Sequence, residues 1–352
     1  MRVAQITPYY PPHIGGVEIH VKELSERLFE RGYQVKVVSS CGNGKNSVEV
    51  ITVPSINFPY SPIPLTFPRL EADVYHSHVP SPTFAFKVKD KHPHIVTYHN
   101  DVVVPSKVNG FPIPSFVAAS IEMINEKLVK PVLEKAELII ATTGSYAETS
   151  KVLKEYLHKV EVVPNAVDAS LFQPVDQKEP YVIYVGRLVE YKGLGMLIEA
   201  MRDVQAREEL NLVVVGDGED RNRFEMMAAK YGVNARFTGR VGLDELRNLI
   251  SHAEILVLPS FTRLEAFGIV LLEAMACKTP VLAFDTPGVN EVAKNGGFVF
   301  STIPELVQLI LELHSDEGLR KTLGEQGRKA VEEKYSWDMV VDKIEALYDE
   351  VV

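Results

Sequence analysis

The feature that most constrains the fold of this chain is an alternation of short apolar strands with helical segments, repeated in both halves. Arg2–Thr7 reads as a strand. It is followed by a Pro-rich turn and a segment whose apolar positions Val17, Val21, Leu24 and Leu28 recur at helical spacing. Gly32 ends that helix, and Gln34–Ser39 is the next strand, so the chain opens as a β-α-β unit. Further strands are expected at Val74–His78, His94–His99, Glu137–Thr142 and Val160–Pro164. Helices are expected around Phe116–Val132 and at Ala147–Leu157. The polar, aperiodic stretch 165–180 predicts a linker. Beyond it the alternation restarts at Tyr181–Gly186 and continues near 211–215, 235–238, 254–258, 280–284 and 297–300. Such a pattern predicts an α/β chain of two Rossmann-like, doubly wound domains with mostly parallel sheets. The 352 residues are enough for two domains. Their expected bounds are 1–168 and 169–336. A closing amphipathic helix, 337–352, carries Trp337, Val341, Ile344, Leu347, Tyr348 and Val351 on one face and is expected to return to the first domain. Two domains of this kind leave a cleft between their carboxyl-edge loops, where a substrate is expected.

Composition removes several classes. A formal charge of -10 argues against a general nucleic-acid binder. The excess is confined to the second half: residues 1–168 carry 17 basic and 17 acidic groups, and residues 169–352 carry 20 and 30. The neutral first half is the one suited to an anionic surface or acceptor. With only Cys41 and Cys277 there is no disulfide framework or zinc spacing, and a reducing, cytoplasmic setting is expected. The opening residues run straight into a strand without signal-peptide architecture, and no uncharged apolar run is long enough to span a bilayer. Peripheral attachment to a membrane face and the oligomeric state are left open.

Chemistry concentrates in the second half. The stretch from Pro259 to Cys277 places Glu265 at the carboxyl end of a buried strand, Glu254–Leu258. Glu273 then falls about two turns into the helix expected after Gly268. A carboxylate in an apolar setting is costly unless paired, so a core ion pair competes with a ligand-binding role. The strand-to-helix junction, where open α/β sheets bind ligands, favours the ligand. Gly186-Arg187-Leu188-Val189-Glu190-Tyr191-Lys192-Gly193 closes the first strand of this half. Arg187 as a planar fork and Lys192 as a point charge suit a diphosphate. Gly216-Asp217-Gly218 and Thr238-Gly239-Arg240-Val241 end the next two strands, where a base or ribose can approach the backbone. No Asp-x-Asp triplet occurs, so no metal site beside a diphosphate is expected. Gly42-Asn43-Gly44-Lys45 is too short for a phosphate-binding loop and reads as a turn. In the first half, Gly15-Gly16 at a strand-to-helix turn permits phosphate approach. His76 and His78 are read as structural.

Together the Glu-x7-Glu stretch, the Gly-Arg-x4-Lys-Gly turn, the Gly15-Gly16-Val17-Glu18 opening and Val163-Pro164-Asn165-Ala166-Val167-Asp168 resemble the retaining GT-B glycosyltransferases of family 4. The motifs occur in family order from Gly15 to Glu291. The resemblance implies an acceptor-binding first domain and a nucleotide-sugar-binding second domain. It implies that Arg187 and Lys192 hold the donor diphosphate and that Glu273 holds the ribose hydroxyls. Glu265 would hold hydroxyls of the transferred sugar, helped by backbone N–H groups at Phe267, Gly268 and Ile269. It also places Gly15 and Gly16 toward the phosphates, His99 beside the sugar and Val241 near the base. Glu18 and Asn165 are further cleft candidates. Two departures stand out: Ala166 replaces a common glycine, and Thr286-Pro287-Gly288-Val289-Asn290-Glu291 has one glycine where the family has two.

The implied activity is metal-independent transfer of a hexosyl group, with an α-linkage, from a UDP- or GDP-sugar to a hydroxyl of a saccharide or lipid-linked acceptor. No cofactor is implied. Three rivals follow from the same residues. A nucleotide-dependent oxidoreductase is disfavoured by the missing three-glycine fingerprint. A non-catalytic sugar-nucleotide-binding subunit is disfavoured by the intact Arg187, Lys192, Glu265 and Glu273. An epimerase on the same fold would interconvert the donor without an acceptor.

Overall fold

The computed structural model describes residues 1–352 except 14, 43–46, 58–60, 106 and 109–110. The chain forms two compact units. One comprises Met1–Ser106, Ile113–Asn165 and Trp337–Val352, and the other Lys107–Pro112 and Ala166–Ser336.

The first unit is built on a seven-stranded, all-parallel sheet. In spatial order its strands are Val160–Val162, Leu138–Ala141, His94–Tyr98, Val74–Val79, Arg2–Ile6, Gln34–Ser39 and Glu49–Thr52. The chain winds outward from Arg2–Ile6 to Glu49–Thr52, then crosses back to pair Val74–Val79 on the other side of the first strand. The topological switch point therefore lies at the carboxyl ends of those two strands. Glu49–Thr52 escapes a reading from periodicity because it is an edge strand with no buried residue. The helix expected at Ala147–Leu157 is instead a short one, Gly144–Thr149, followed by two single turns, Leu153–Glu155 and Leu157–Lys159. Ser150 interrupts it: its hydroxyl accepts from the backbone N–H groups of Val152 and Leu153, at 3.2 and 3.1 Å. The closing helix, Trp337–Val351, packs in this unit. It is tied by Arg31 to Asp342 and Glu345, at 2.5 and 2.6 Å, and by the Arg27 guanidinium 5.0 Å from the Trp337 ring centroid.

The second unit holds a six-stranded parallel sheet in the order Ala235–Gly239, Asn211–Val215, Glu179–Val185, Ala253–Leu258, Val281–Phe284 and Gly297–Phe300. Side chains alternate across a strand, so each strand feeds two cores. Ile183, Val213, Leu256 and Ala283 face the helices Leu243–His252, Ile269–Ala276 and Glu317–Lys334. Tyr184, Leu212, Val257 and Leu282 face Leu194–Gln205, Arg221–Tyr231 and Ile303–Ser315. Both faces are covered, which is why these strands read as continuous apolar runs. The switch point lies between Glu179–Val185 and Ala253–Leu258. Their carboxyl ends lead into Gly186-Arg187 and into the loop bearing Glu265.

Candidate active site

In the second unit the backbone brings the two motif loops together. The Gly186 N–H donates to the Val215 carbonyl at 3.0 Å and Leu188 to that of Asp217 at 3.0 Å, which fixes the strand mouth. A single turn, Glu190–Lys192, follows and ends at Gly193, whose φ is +76°. A Cβ at Gly193 would sit 2.0 Å from the Pro259 carbonyl oxygen, so only glycine lets the two loops meet. That approach delivers the Lys192 ammonium onto the Glu265 carboxylate in a direct hydrogen-bonded ion pair. The side chains are 20% and 15% exposed, so water screens the pair little. Burial alone would lower the lysine's pKa, but the Glu265 carboxylate outweighs it and the net shift is upward. Arg187, on the exposed strand mouth, acts on the same ammonium in opposition. The core ion pair weighed against a ligand role is therefore present, and it joins two of the residues assigned to the donor.

The helix after Gly268 begins at Ile269 and ends at Ala276, so Glu273 stands about one turn into it rather than two. The helix starts where the sequence places it, and the four residues from Ile269 to Leu272 ahead of Glu273 make one turn at ~3.6 residues per turn. Gly268 adopts φ +78°, and a Cβ there would lie 2.6 Å from the Leu258 side chain. No side chain among the described residues caps this helix, and with the Leu271 N–H donating to the Gly268 carbonyl at 2.9 Å, the Ile269 and Val270 N–H groups are left for an anion or hydroxyl. Phe267 is buried against Tyr335, with ring centroids 6.0 Å apart. Val241 is half-buried against the same core.

Glu273 has no salt bridge among the described residues. Burial raises its carboxyl to about 7, an effect the Arg247 charge partly offsets. Arg247 lies in Leu243–His252, stacks 5.7 Å from the Phe172 centroid, and has a buried Nε without a hydrogen-bond partner among the described residues. The Ser260 and Thr262 hydroxyls are likewise buried and unpartnered. Unmet polar groups of this kind are rare in a finished core and common where a ligand completes them. Sequence reasoning missed Arg247, Ser260 and Thr262. Ser260 and Thr262 lie inside the stretch it singled out. Arg247 carries no local signal at all.

The first unit holds the remaining candidates. Gly15 precedes the uncapped helix Gly16–Glu30. Glu18 curls back beneath it to pair with His13 Nδ1 at 2.8 Å. Asn165 is buried with its Oδ1 unpartnered. His99 is buried, its N–H donating to the Val79 carbonyl at 2.9 Å and its Nε2 lying 3.2 Å from His78 Nδ1. His76 and His78, left without partners in the sequence reading, have them here. Gln5 Nε2 donates to the Tyr348 hydroxyl at 3.1 Å, leaving Gln5 Oε1 to accept from His78 Nε2 at 2.8 Å. The Tyr348 hydroxyl then donates to His76 Nδ1, and His76 Nε2 to Thr97 Oγ1, each at 2.7 Å. The strand register sets Gln5 beside His76 and His78 beside Thr97. The Gly42–Lys45 turn reading falls mostly on residues outside the described set, as does Ile14 in the Gly15-Gly16 turn.

Comparison with known proteins decides the family. The family model described as glycosyltransferase family 4 matches residues 14–171, and that described as glycosyl transferases group 1 matches residues 170–330. The chain belongs to the family 4, group 1 glycosyltransferases, and it is an enzyme of that class. An uncharacterized glycosyltransferase of Methanocaldococcus jannaschii is 28% identical, over 99% of this chain and 98% of that protein. The gpi3 subunit of phosphatidylinositol N-acetylglucosaminyltransferase from Schizosaccharomyces pombe is 26% identical, over 98% of this chain and 80% of its own length. Among solved structures, Anabaena HepE in complex with UDP superimposes with a TM-score of 0.79 at 15% identity, covering 99% of this chain and all of that one. That likeness shows the GT-B fold of this glycosyltransferase. No helix among the described residues is long and apolar enough to cross a membrane.

Proposed function

We propose that this glycosyltransferase moves a hexosyl group from a nucleotide-diphosphate sugar to a hydroxyl of a saccharide or lipid-linked acceptor, with retention, an α-linkage and no metal at the diphosphate. The observation that carries the reading is the junction of Lys192 and Glu265 beside the uncapped helix at Gly268, at the switch point of the second sheet. Lys192 has three N–H donors, so it holds Glu265 with one and a phosphate oxygen with another. Arg187 supplies a second cation. The Gly268 and Ile269 N–H groups serve the donor's oxygens, Glu265 the sugar hydroxyls and Glu273 the ribose. UDP and GDP both fit this charge arrangement. The UDP complex of HepE and the phosphatidylinositol-modifying gpi3 subunit support a nucleotide-sugar donor and a glycan or lipid acceptor.

Glu265 is engaged by Lys192 and Glu273 is partly protonated near neutrality, so neither serves as a free nucleophile of the glycosidase kind. The acceptor oxygen bonds to the anomeric carbon on the face from which the phosphate leaves, and the departing phosphate oxygen takes the acceptor's proton. Leaving-group stabilisation by Arg187 and Lys192 then dominates the rate. On this reading the first unit takes the acceptor and the enzyme works in the cytoplasm, at a membrane face if the acceptor is lipid-linked.

A thermal-shift panel of UDP-, GDP- and ADP-sugars in a chelator tests it. One base class should stabilise the chain by about 2.7 kcal/mol at 100 times its Kd. No stabilisation by any of them contradicts the reading. Donor interconversion without acceptor would move the activity to epimerisation.

A further inference from the structure

The first unit contains a second cluster of chemistry-bearing groups, of which the transfer reading uses only His99. His20, on the Gly16–Glu30 helix, His78, on the Val74–Val79 strand, and His99, just past His94–Tyr98, are all buried. The His20 ring centroid lies 5.9 Å from that of His78 and 5.2 Å from that of His99. One ring nitrogen from each of the three lies within 4.8 Å of the others. We propose that these three imidazoles form a binding site for a late first-row divalent cation of the zinc class.

Four observations point the same way. First, the tautomer of His78 is set from outside. Gln5 donates its amide N–H to Tyr348, so its oxygen must accept from His78 Nε2. That leaves a lone pair on His78 Nδ1, the atom facing His99. A ring nitrogen fixed by a hydrogen bond on its far side is the usual arrangement behind a histidine metal ligand. Second, His78 Nδ1 and His99 Nε2 are 3.2 Å apart. Two nitrogens bound to one tetrahedral zinc at ~2.0–2.1 Å stand about 3.3 Å apart, so this pair already has the spacing of two ligands. Closing the third requires His20 to move by at most about 1.5 Å, the difference between that edge and the observed outer limit. Third, His20 Nδ1 is buried with no hydrogen-bond partner among the described residues. Fourth, all three imidazoles are buried, which shields an ion held between them from solvent.

The donor set selects the ion. Three neutral imidazoles suit zinc, cobalt, nickel or copper and offer no carboxylate to magnesium or calcium. The three histidines all belong to the first unit. A consequence rests on the transfer reading: if His99 faces the sugar, an ion that captures it inhibits transfer. The binding itself does not depend on that reading.

The test is titration of the chelator-stripped full chain with Co2+, followed by visible absorption and then displacement by Zn2+. One equivalent should bind, with the absorption of a low-coordinate nitrogen site, and Mg2+ should neither bind nor compete. His20→Phe should weaken binding 100-fold or more, and Gln5→Leu 10- to 100-fold through the lost orientation of His78. His252→Ala, at an exposed histidine, should change nothing. Equal binding by His20→Phe and wild type, or no stoichiometric binding by wild type, overturns the site. Should His20→Phe fail to fold, the imidazole nitrogen resonances of the wild-type chain decide. Zinc must shift those of the buried histidines, and shifts confined to exposed ones overturn the proposal. Loss of nucleotide-sugar binding with Co2+ binding intact would instead count against the transfer reading alone.

Discussion

The two sheets of this glycosyltransferase place their buried polar groups differently. In the second unit the sheet is apolar on both faces, and the polar groups lie in the loops and helix turns that follow its strands. There several of them are left unmet: the Ser260 and Thr262 hydroxyls, the Arg247 Nε and a Glu273 carboxyl without a salt bridge. In the first unit polar residues sit within the strands themselves. Gln5, His76 and Thr97 are joined through the Tyr348 hydroxyl in a chain of side-chain hydrogen bonds. The contrast is one of placement, since buried polar atoms without partners among the described residues occur in both units. A saturated network rigidifies, whereas an unsaturated one at a strand mouth awaits a ligand.

The largest effect should come from the shielded Lys192–Glu265 pair at that edge. Lys192→Met leaves the Glu265 carboxylate buried and unpaired, and should cost roughly 3 kcal/mol in urea unfolding, the low end for such pairs given their residual exposure. Lys192→Met combined with Glu265→Gln should cost less than the sum of the two. Additive losses would mean the pair is not the unit described here.

Glu273 gives a comparable effect in the pH dimension. Its folded pKa of about 7 lies above the ordinary 4.5. The folded state therefore binds the proton more tightly than the unfolded chain. Its contribution to stability is present in full below pH 4.5 and is lost as pH rises through 7, by up to about 3 kcal/mol. Glu273→Gln should remove this loss and be more stable than wild type at pH 8. An unchanged pH profile would place the carboxyl in water.

On the scaffold side, Tyr348→Phe deletes a hydroxyl that accepts from Gln5 and donates to His76. It should cost about 2 kcal/mol by leaving both unpaired. Ser260→Ala is the counterpart and the smallest effect. Its hydroxyl has no partner to lose, so stability should change by less than about 0.5 kcal/mol. Equal costs for the two would erase the contrast between the sheets.

What the sequence revealed follows the same division. The second sheet was legible because its strands are uninterrupted apolar runs, and Arg187, Lys192, Glu265 and Glu273 stood out as candidates because each is a charge beside or within an apolar run. The Gly193 contact with Pro259 explains why the two motifs meet, a fact no spacing encodes. The polar seam of the first sheet was not legible. His76 and His78 bond residues up to 272 positions away in the chain, and Tyr348 reads in sequence as one more position on an amphipathic face. Arg247 was missed because an arginine in a helix of mixed charge looks solvated until the fold buries its Nε.

The central claim is that Arg187 and Lys192 perform the neutralisation of the donor's diphosphate. It is tested most directly by calorimetric binding of UDP and GDP in a chelator, to wild type, Arg187→Ala and Lys192→Ala. Wild type should bind one of them with chelator present. Each substitution should weaken that affinity about 10- to 150-fold, the equivalent of ~1.5–3 kcal/mol per charge-assisted contact. Wild-type binding that requires added Mg2+, or unchanged affinity in both variants, would contradict the account.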